Sequence, residues 1–313
     1  MVLKHTFPAP RIHNEIYPFL HPLKFRNSLK GQVVLITGAI GTIASAVAES
    51  FATAGANLFL TDIRDSLADS TKERLLHLGA DAVHYSRCDV TATVGNVDVL
   101  VNGAGVVGVR VFHKQDPSLF FRDMAINLNG PLMLTRLVMP SFIERRRGCV
   151  INVASRAGSL NLPFNISYST SKAALIRLTS AIQAEVDEVA PSSDIQLYSI
   201  HPGAVRSDGQ RDAALDEFPH ITSRFAEWKK KFTGSPHLAG MACVALATGI
   251  AKDVLRGRYF DVEQDLEDVI SKAPLLKADP LLHTLHVSML GSLEREEGAI
   301  DREPEEPFDF PGF

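Results

Sequence analysis

Continuous apolar segments of strand length alternate with longer amphipathic segments along most of this chain. Segments that are apolar throughout, and not only at alternate positions, are typical of parallel strands buried on both faces. The strand-like segments are VVLIT at 33–37, NLFLTD at 57–62, DAVHYS at 81–86, VDVLVN at 97–102, CVINVAS at 149–155, IQLYSI at 195–200 and GRYFDV at 257–262. The sequence therefore predicts an α/β fold built on a single, doubly wound parallel sheet.

The segments between these strands supply the helices that such a sheet needs. The predicted helices cover 42–53, 65–77, 117–144, 167–189 and 236–252. A chain of 313 residues with 45% hydrophobic content can bury one large core. We place the main domain at 31–272, between a proline-rich N-terminal arm at 1–30 and a C-terminal extension at 273–313 with an acidic, disordered tail.

Composition and cysteine spacing exclude several classes of partner. The formal net charge is −4, and no dense basic segment contains aromatic residues, so we expect no nucleic-acid partner. The apolar run at 241–251 is too short to span a membrane. Cys88, Cys149 and Cys243 lack metal-site spacing, which favours buried thiols in a reducing compartment and no metal site. We therefore predict a cytoplasmic protein.

The first strand-to-helix turn, TGAIGTIA at 37–44, has the composition of a site for nucleotide phosphates. Glycine lets the backbone turn tightly, and the free amides at the N-terminus of the next helix can bind a pyrophosphate. The residues that we assign to cofactor binding in this turn are Thr37, Gly38, Ile40, Gly41 and Ile43.

Asp62 ends the second predicted strand, where its carboxylate can accept hydrogen bonds from the adenosine ribose. Its charge would repel a 2′-phosphate, so NAD is favoured over NADP, although Arg64 keeps NADP as the alternative. We expect further cofactor contacts where the third and fourth strands end. These residues are Asp89, Val90, Asn102, Gly103 and Ala104.

Tyr168 and Lys172 form the candidate reacting centre, because their spacing of four residues puts them on one face of a helix. A phenol of reference pKa about 10 is a poor base near neutrality, and a nearby ammonium lowers that pKa. Ser155 follows the preceding strand and can hold a substrate oxygen beside Tyr168. Asn127 lies inside a long predicted helix, where it indicates a local kink that frees a carbonyl or binds water.

From about Gly31 to Val262 the chain resembles the short-chain dehydrogenase/reductase family. The resemblance rests on the order and spacing of TGAIGTIA at 37–44, NGAG at 102–105, Asn127, Ser155, the Tyr168–Lys172 pair and HPGAVRS at 201–207. It implies a Rossmann-type sheet and an NAD(P)-dependent oxidoreductase. Such an enzyme interconverts a secondary alcohol and a ketone by hydride transfer, on a small-molecule substrate.

The resemblance also implies a role for each matching residue. Tyr168 would be the acid/base, Ser155 would orient the substrate oxygen, and Asn127 would support a proton-relay water. Lys172 would bind the nicotinamide ribose and lower the pKa of Tyr168, so both residues also count as cofactor contacts.

Further implications concern the nicotinamide end of the cofactor and the assembly. The residues matching the segment that faces the nicotinamide amide are Pro202, Gly203, Val205 and, in place of a frequent threonine, Ser207. Members of the family commonly assemble as homodimers or homotetramers through two long helices, which match 117–144 and 167–189.

The connection between the third and fourth strands departs from the family pattern. In the expected strand order these strands are not neighbours, and parallel crossovers ordinarily need about a dozen residues or more. Only TATVGN at 91–96 is available, so we predict a taut connection in which the crossover helix is missing. The bare sheet face could be covered by the arm, by residues 273–290 or by a partner subunit, or the chain could be a shortened product that folds poorly.

Two alternatives to the dehydrogenase hypothesis stay open. Thr42 and Ala44 stand where family members carry glycines, and with the short connection this departure allows a non-catalytic nucleotide-binding protein. An NADPH-dependent ketone reductase would result if Arg64 overrode Asp62. Because the short connection lies away from Ser155 and Tyr168, we expect the active-site residues to remain assembled.

Residues 208–235 are expected to form a lid over the substrate. Aromatic residues recur in it at roughly helical spacing. They could line an apolar pocket, but we assign most of them to packing the lid on the core. They are Phe218, Phe225, Trp228 and Phe232, with Phe112 and Phe164 as further candidates for the pocket.

Overall fold

The computed structural model describes residues 9–88, 97–207, 210–211 and 218–287. Its strands are β1 (Val33–Thr37), β2 (Asn57–Asp62), β3 (Val83–Arg87), β4 (Val99–Asn102), β5 (Val107–Gly108), β6 (Arg147–Val153), β7 (Asp194–His201), β8 (Gln210–Arg211) and β9 (Tyr259–Asp261). Within the described residues, seven strands form one sheet in the order β3-β2-β1-β4-β6-β7-β9, and every neighbouring pair is parallel. The predicted doubly wound parallel sheet is confirmed.

The helices follow the predicted alternation with some shifted ends. They are α1 (Thr42–Thr53), α2 (Asp69–Leu78), α3 (Pro117–Met124), α4 (Gly130–Arg145), α5 (Ile166–Val189), α6 (Pro219–Lys229), α7 (Pro236–Ala247), α8 (Lys252–Leu255), α9 (Leu266–Ser271) and α10 (Ala273–Ala278). The helix predicted over 236–252 ends at Ala247, because Gly249 takes a left-handed conformation with φ +79°. No helix of the described residues is long and apolar enough to cross a membrane.

Both faces of the sheet are buried, as the continuous apolar strands predict. On one face, Val34 and Ile36 of β1 pack with α1 and α7 in the larger core cluster. Helices α1 and α7 approach closely at Gly240, where a Cβ would lie 2.2 Å from the hydroxyl of Ser50. On the other face, Leu35 and Val150 belong to a second cluster with residues of α4 and α5. The helices that carry the reacting centre therefore lie on a packed sheet.

The N-terminal segment packs on the main body through its large apolar side chains. Tyr17, Leu20, Phe25 and Leu29 are buried in the larger core cluster. The backbone here forms two short 3-10 helices, where the sequence predicts only an extended arm. Beyond residue 272, Leu276 of α10 is buried in the same cluster. The division of the chain at residues 30 and 272 stays a prediction.

The chain passes from β3 to β4 within residues 88–98, of which residues 89–96 lie outside the described residues. The predicted taut connection falls on these residues. The beginning of β4 itself is held by Asp98, whose Oδ2 accepts a hydrogen bond from the Val33 amide at 3.0 Å. Arg145, at the end of α4, bonds Asp98 Oδ1 at 2.6 Å and also the carbonyl of Val97. The entry to β4 is therefore fixed by contacts with β1 and α4.

One expectation about the cysteines is wrong. Cys149 and Cys243 are buried free thiols, but Cys88 is exposed. Cys88 follows the last residue of β3 with a φ of +50°, so it leaves the sheet at the edge strand and is not covered.

Candidate active site

The carboxyl ends of the central strands meet at a cavity of about 570 Å³. The predicted site residues that line it are Ile43, Gly103, Ser155, Tyr168, Lys172, Pro202, Gly203, Val205 and Ser207. The predicted residues that do not line it are Thr37, Gly38, Ile40, Gly41, Asp62, Asn102, Ala104 and Asn127. Asp89 and Val90 lie outside the described residues. The structure thus brings the glycine turn after β1 and the reacting centre at Ser155, Tyr168 and Lys172 to the same edge of the sheet, where the strands end.

Tyr168 and Ser155 reach the cavity from neighbouring elements. Tyr168 lies in the first turn of α5, and Ser155 lies two residues beyond β6. The side chain of Ser155 caps a short 3-10 helix, where Oγ accepts a hydrogen bond from the Ala157 amide at 3.1 Å. Burial raises the pKa of Tyr168, and its hydrogen bond with Ser155 opposes this rise. The two hydroxyls can therefore hold one substrate oxygen between them.

Lys172 lies one helical turn after Tyr168 and is buried. Its Nζ donates a hydrogen bond to the carbonyl of Val153 at 2.7 Å and lies 5.7 Å from the centre of the Tyr168 ring. Burial lowers the pKa of Lys172 to about 8. The group is therefore mostly an ammonium at neutral pH, one helical turn from Tyr168.

Asn127 lies in a π-helical turn, Ala125–Asn129, that separates α3 from α4. The local irregularity predicted for the long helix is therefore present, and such turns often occur at functional sites. The side chain of Asn127 is fully buried and bonds both backbone groups of Val106, accepting from N at 2.8 Å and donating to O at 2.9 Å. It also donates to Ser171 Oγ at 3.2 Å. Asn127 thus fixes the segment after β4 to α5.

The glycine turn packs closely against the segment that follows β4. Gly38 has a φ of +67°, and a Cβ there would lie 2.7 Å from the Cα of Ala104. Thr37 Oγ1 accepts hydrogen bonds from the amides of Gly103 and Ala104, each at 3.1 Å. Gly41 is the N-cap of α1, so no side-chain oxygen of the N-cap residue caps the first amides of the helix. These residues fit a pyrophosphate at this helix N-terminus.

Asp62 and Arg64 both contact the glycine turn at Ile40. Asp62 Oδ2 accepts a hydrogen bond from the Ile40 amide at 3.2 Å, and Oδ1 accepts one from the Arg64 amide at 3.3 Å. The Arg64 guanidinium donates to the Ile40 carbonyl at 3.2 Å. The carboxylate and the guanidinium therefore lie at the same end of the candidate nucleotide site, beyond the end of β2.

Comparisons with known proteins decide the family. A family model described as short chain dehydrogenase matches residues 32–217. The chain is a short-chain dehydrogenase/reductase. A short chain dehydrogenase of Pseudocercospora fijiensis is 30% identical over 278 residues, which are 82% of this chain and 88% of that relative. The 2-(S)-hydroxypropyl-CoM dehydrogenase 3 of Xanthobacter autotrophicus is 29% identical, over 63% of this chain and 82% of its own.

Solved structures agree with this assignment. A 3-oxoacyl-[acyl-carrier protein] reductase of Brucella melitensis with bound NAD has a TM-score of 0.65 and 25% identity, covering 82% of this chain and 97% of its own. A dehydrogenase of Agrobacterium tumefaciens with bound NADP shares the fold at a TM-score of 0.63 and 23% identity, covering 76% and 96%. This short-chain dehydrogenase/reductase is therefore an oxidoreductase that acts on CH–OH groups of small molecules with a nicotinamide cofactor.

An ion cluster that the sequence analysis missed joins the turn after Ser155 to the segment 202–205 of the dehydrogenase site. Arg156, next to Ser155, bonds Asp261 Oδ2 and Glu263 Oε2, each at 2.5 Å. Glu263 Oε1 accepts a hydrogen bond from the Ala204 amide at 2.8 Å. Glu263 is therefore linked both to the turn after Ser155 and to the segment 202–205. The one available signal was the pair of acidic residues, Asp261 and Glu263, at the end of the last predicted strand.

His201 lies beside this ion cluster and is buried. Burial lowers the pKa of His201 to about 4, and the positive charge of Arg156 acts in the same direction. The imidazole is therefore neutral near pH 7. His201, Asp261 and Glu263 have ligand atoms within 4.8 Å of one another, the spacing of a metal site, in the described part of the chain. The guanidinium of Arg156 bonds both carboxylates there, which supplies the positive charge that a metal ion would bring.

The aromatic residues of the predicted lid divide into two groups. Phe225, Trp228 and Phe232 line the cavity, which is the pocket-lining role of the two that the sequence allows. Helix α6 turns these rings towards the active site, because their positions lie on one side of the helix and its continuation. Phe218 does not line the cavity and packs edge-on against His220. Phe112 is 67% exposed and lies outside the lining.

Proposed function

We propose that this dehydrogenase interconverts a secondary alcohol and a ketone, with Tyr168 as the acid/base. The observation that carries the proposal is the joint position of three groups at one cavity. Ser155 and Tyr168 both line the cavity, and the Lys172 ammonium lies 5.7 Å from the centre of the Tyr168 ring. A bound nicotinamide cofactor supplies the hydride in ketone reduction and accepts it in alcohol oxidation.

In the reducing direction, the residues of this chain handle the oxygen and its proton. Ser155 donates a hydrogen bond to the ketone oxygen and orients the carbonyl. Tyr168 donates its phenolic proton to the same oxygen as negative charge develops there. Lys172 stabilises the phenolate that remains, and Asn127 keeps the segment after β4 aligned with α5. In the oxidising direction, the Tyr168 phenolate removes the hydroxyl proton of the alcohol.

We propose that NAD is the preferred cofactor. The carboxylate of Asp62 stands at the ribose end of the turn, where it accepts hydroxyl donors and repels a phosphate. The guanidinium of Arg64 is engaged with the Ile40 carbonyl, which reduces its availability for a 2′-phosphate. The residues that would hold the rest of the cofactor are Thr37, Gly38, Ile40, Gly41, Ile43, Asn102, Gly103, Ala104, Tyr168, Lys172, Pro202, Gly203, Val205 and Ser207.

The first test separates cofactor binding from chemistry. We expect purified protein to bind NADH with saturable fluorescence enhancement and to reduce a ketone from a mixed panel. Tyr168→Phe should bind NADH within about twofold of the unsubstituted protein, but lose about 100- to 10,000-fold in kcat, the usual contribution of a general acid/base. Normal NADH binding without hydride exchange on any panel member would contradict the enzymatic role and favour a non-catalytic nucleotide-binding protein.

We also propose a homo-oligomer in which α4 and α5 pack on a second copy. Met133 and Leu137 of α4 are 51% and 40% exposed, and such apolar helix positions favour an interface. The expected result of light scattering is twice or four times the mass of one chain. A monomer at micromolar concentration would contradict it. The buried thiols of Cys149 and Cys243 support the further proposal of a cytoplasmic location.

A further inference from the structure

Four aromatic rings form a continuous series along one side of the active-site cavity. The centres of Phe164 and Phe225 are 6.3 Å apart, those of Phe225 and Trp228 are 6.0 Å apart, and those of Trp228 and Phe232 are 4.5 Å apart. Each pair meets edge to face, with interplanar angles of 68°, 87° and 70°. We call these four residues the aromatic wall. Three of them, Phe225, Trp228 and Phe232, line the same cavity as Ser155 and Tyr168.

The rest of the cavity beyond the reacting hydroxyls is largely apolar. Its further apolar lining residues are Val107, Val109, Leu160 and Leu162. Arg156 and Glu263, which also line it, are paired with each other. A substrate body in this space therefore gains more from apolar and aromatic contacts than from hydrogen bonds.

The lysines at the end of α6 are compatible with an aromatic occupant. Lys229 and Lys231 line the cavity from the segment that carries Trp228 and Phe232. A lysine ammonium is attracted to the face of an aromatic ring and has no such attraction to a saturated ring.

Trp228 is the residue of the wall that most needs a covering group. Its side chain is 41% exposed although it lines a cavity, and indole is a large aromatic surface. Aromatic rings prefer edge-to-face or offset contacts with centres about 4.5–7 Å apart, which adds to the effect of burying apolar area. A saturated ring of the same size buries similar area without this additional attraction.

We propose that the substrate is an aryl ketone, or the matching aryl carbinol, whose ring lies against the aromatic wall while its oxygen reaches Ser155 and Tyr168. This inference rests on the proposed function. It specifies the substrate class of the same site, with Trp228 and Phe232 as the residues that determine specificity.

The chain provides its own reporter for this test, because Trp228 is the only tryptophan of the sequence. Acetophenone and cyclohexyl methyl ketone have the same number of heavy atoms and differ in whether the ring is aromatic. Each is titrated into the full protein saturated with NAD⁺, which cannot reduce a ketone, and Trp228 emission is recorded. We expect saturable quenching with acetophenone bound about 2- to 10-fold more tightly. Equal or weaker binding of acetophenone, or no saturable quenching by either ketone, would overturn the inference.

A substitution in the aromatic wall tests its role directly. Phe232→Leu removes the ring next to Trp228 while keeping apolar volume, and it leaves the reporter in place. We expect the preference for acetophenone to fall below about twofold, with the affinity for cyclohexyl methyl ketone changed by less than about twofold. Phe121→Leu is the matched control, because Phe121 is 69% exposed on α3 and does not line the cavity. A full preference in Phe232→Leu, or an equal loss in Phe121→Leu, would contradict the assignment.

Turnover with NADH separates this inference from the proposed function. Reduction of both ketones with equal KM would overturn the substrate class and leave the proposed reaction intact. Tight, ring-selective binding without reduction of either ketone, and with Tyr168→Phe indistinguishable from the unsubstituted protein, would contradict the proposed reaction and support the aromatic site. Reduction with a KM about 2- to 10-fold lower for acetophenone would support both.

Discussion

The reacting centre and the adenosine end of the candidate cofactor site lie on one edge of the same sheet, but they are built differently. At the reacting centre, Lys172 is 4% exposed and Asn127 is fully buried, and both bond to backbone groups. At the adenosine end, Arg64 and Cys88 are exposed and Ile63 is 79% exposed. The first region holds its functional atoms by burial, whereas the second presents its side chains to solvent.

This difference predicts how each region responds to substitution. A buried polar group that loses its partner leaves an unsatisfied atom in a low-dielectric site, which is costly. An exposed charge exchanges its partner for water at little cost. Substitutions at the reacting centre should therefore change rates strongly, and substitutions at the adenosine end should change the choice of cofactor with small effects on rate.

Lys172→Met is the substitution expected to have the largest effect. It removes the ammonium that we propose stabilises the Tyr168 phenolate, so kcat for ketone reduction should fall by about 100- to 1000-fold, the scale of lost acid/base assistance and electrostatic stabilisation. The pKa of Lys172 is about 8, so kcat/KM in the unsubstituted protein should decrease as the pH rises through this value and the ammonium is lost. The pH profile of Lys172→Met should lack that decrease. A retained inflection would assign it to another group.

Gly38→Ala tests whether a substitution in the glycine turn, near the adenosine end, can have as large an effect as one at the reacting centre. The left-handed φ of +67° and the 2.7 Å approach to Ala104 leave no room for a methyl group. We expect NADH affinity to fall about 10- to 100-fold, because the added methyl group strains and displaces the turn at a free-energy cost of about 1–3 kcal/mol. Gly31→Ala is a useful control, because its φ is also positive but no atom lies within 4 Å of the added Cβ. Equal loss in both variants would indicate strain alone and not close approach.

Glu263→Gln tests the link between the turn after Ser155 and the segment 202–205. Glutamine keeps an oxygen for the Ala204 amide but loses the charge that pairs with Arg156. We expect kcat/KM for the ketone to fall about 10-fold through misplacement of the turn after Ser155, with the Kd for NADH unchanged within about twofold. Glu263→Ala should lower kcat/KM for the ketone and also weaken the binding of NADH. If Glu263→Gln changed the melting temperature but neither kinetic parameter, the link would be structural only.

Asp62→Asn should have the smallest effect on rate. Removing the negative charge should improve NADPH binding relative to NADH by about 5- to 10-fold, the range of one exposed charge interaction near a phosphate, with kcat unchanged. The measurement is the ratio of the two cofactor dissociation constants at low and high salt. Tighter binding of NADPH than NADH by the unsubstituted protein would contradict the proposed NAD preference.

The sequence predicts the sheet and the main groups of the reacting centre because both depend on local patterns. Continuous apolar strands specify burial on two faces, and the four-residue spacing of Tyr168 and Lys172 specifies one helix face. The irregular turn at Asn127 was also predictable, since asparagine is disfavoured inside a helix. These features need no knowledge of distant contacts.

The features that were missed depend on long-range packing. Arg156 follows β6 and Glu263 follows β9. They meet only because a single strand, β7, separates β6 from β9 in the sheet, a relation that no local pattern records. The inward direction of Trp228 depends on how α6 crosses the cavity. The side-chain bonds of Asn127 depend on where the segment after β4 returns to α5. In each case the residue type was visible, but its partner was set by the topology.

The anchoring of β4 has a consequence for how such a chain can evolve. Asp98 is bonded by Val33 of β1 and by Arg145 of α4, so the starting point of β4 is set by residues that do not belong to the preceding connection. The pairing of Val99 with Cys149 and with the rest of the sheet then follows from that fixed point. A change in the length of the connection between β3 and β4 therefore need not shift the strand that ends at Asn102.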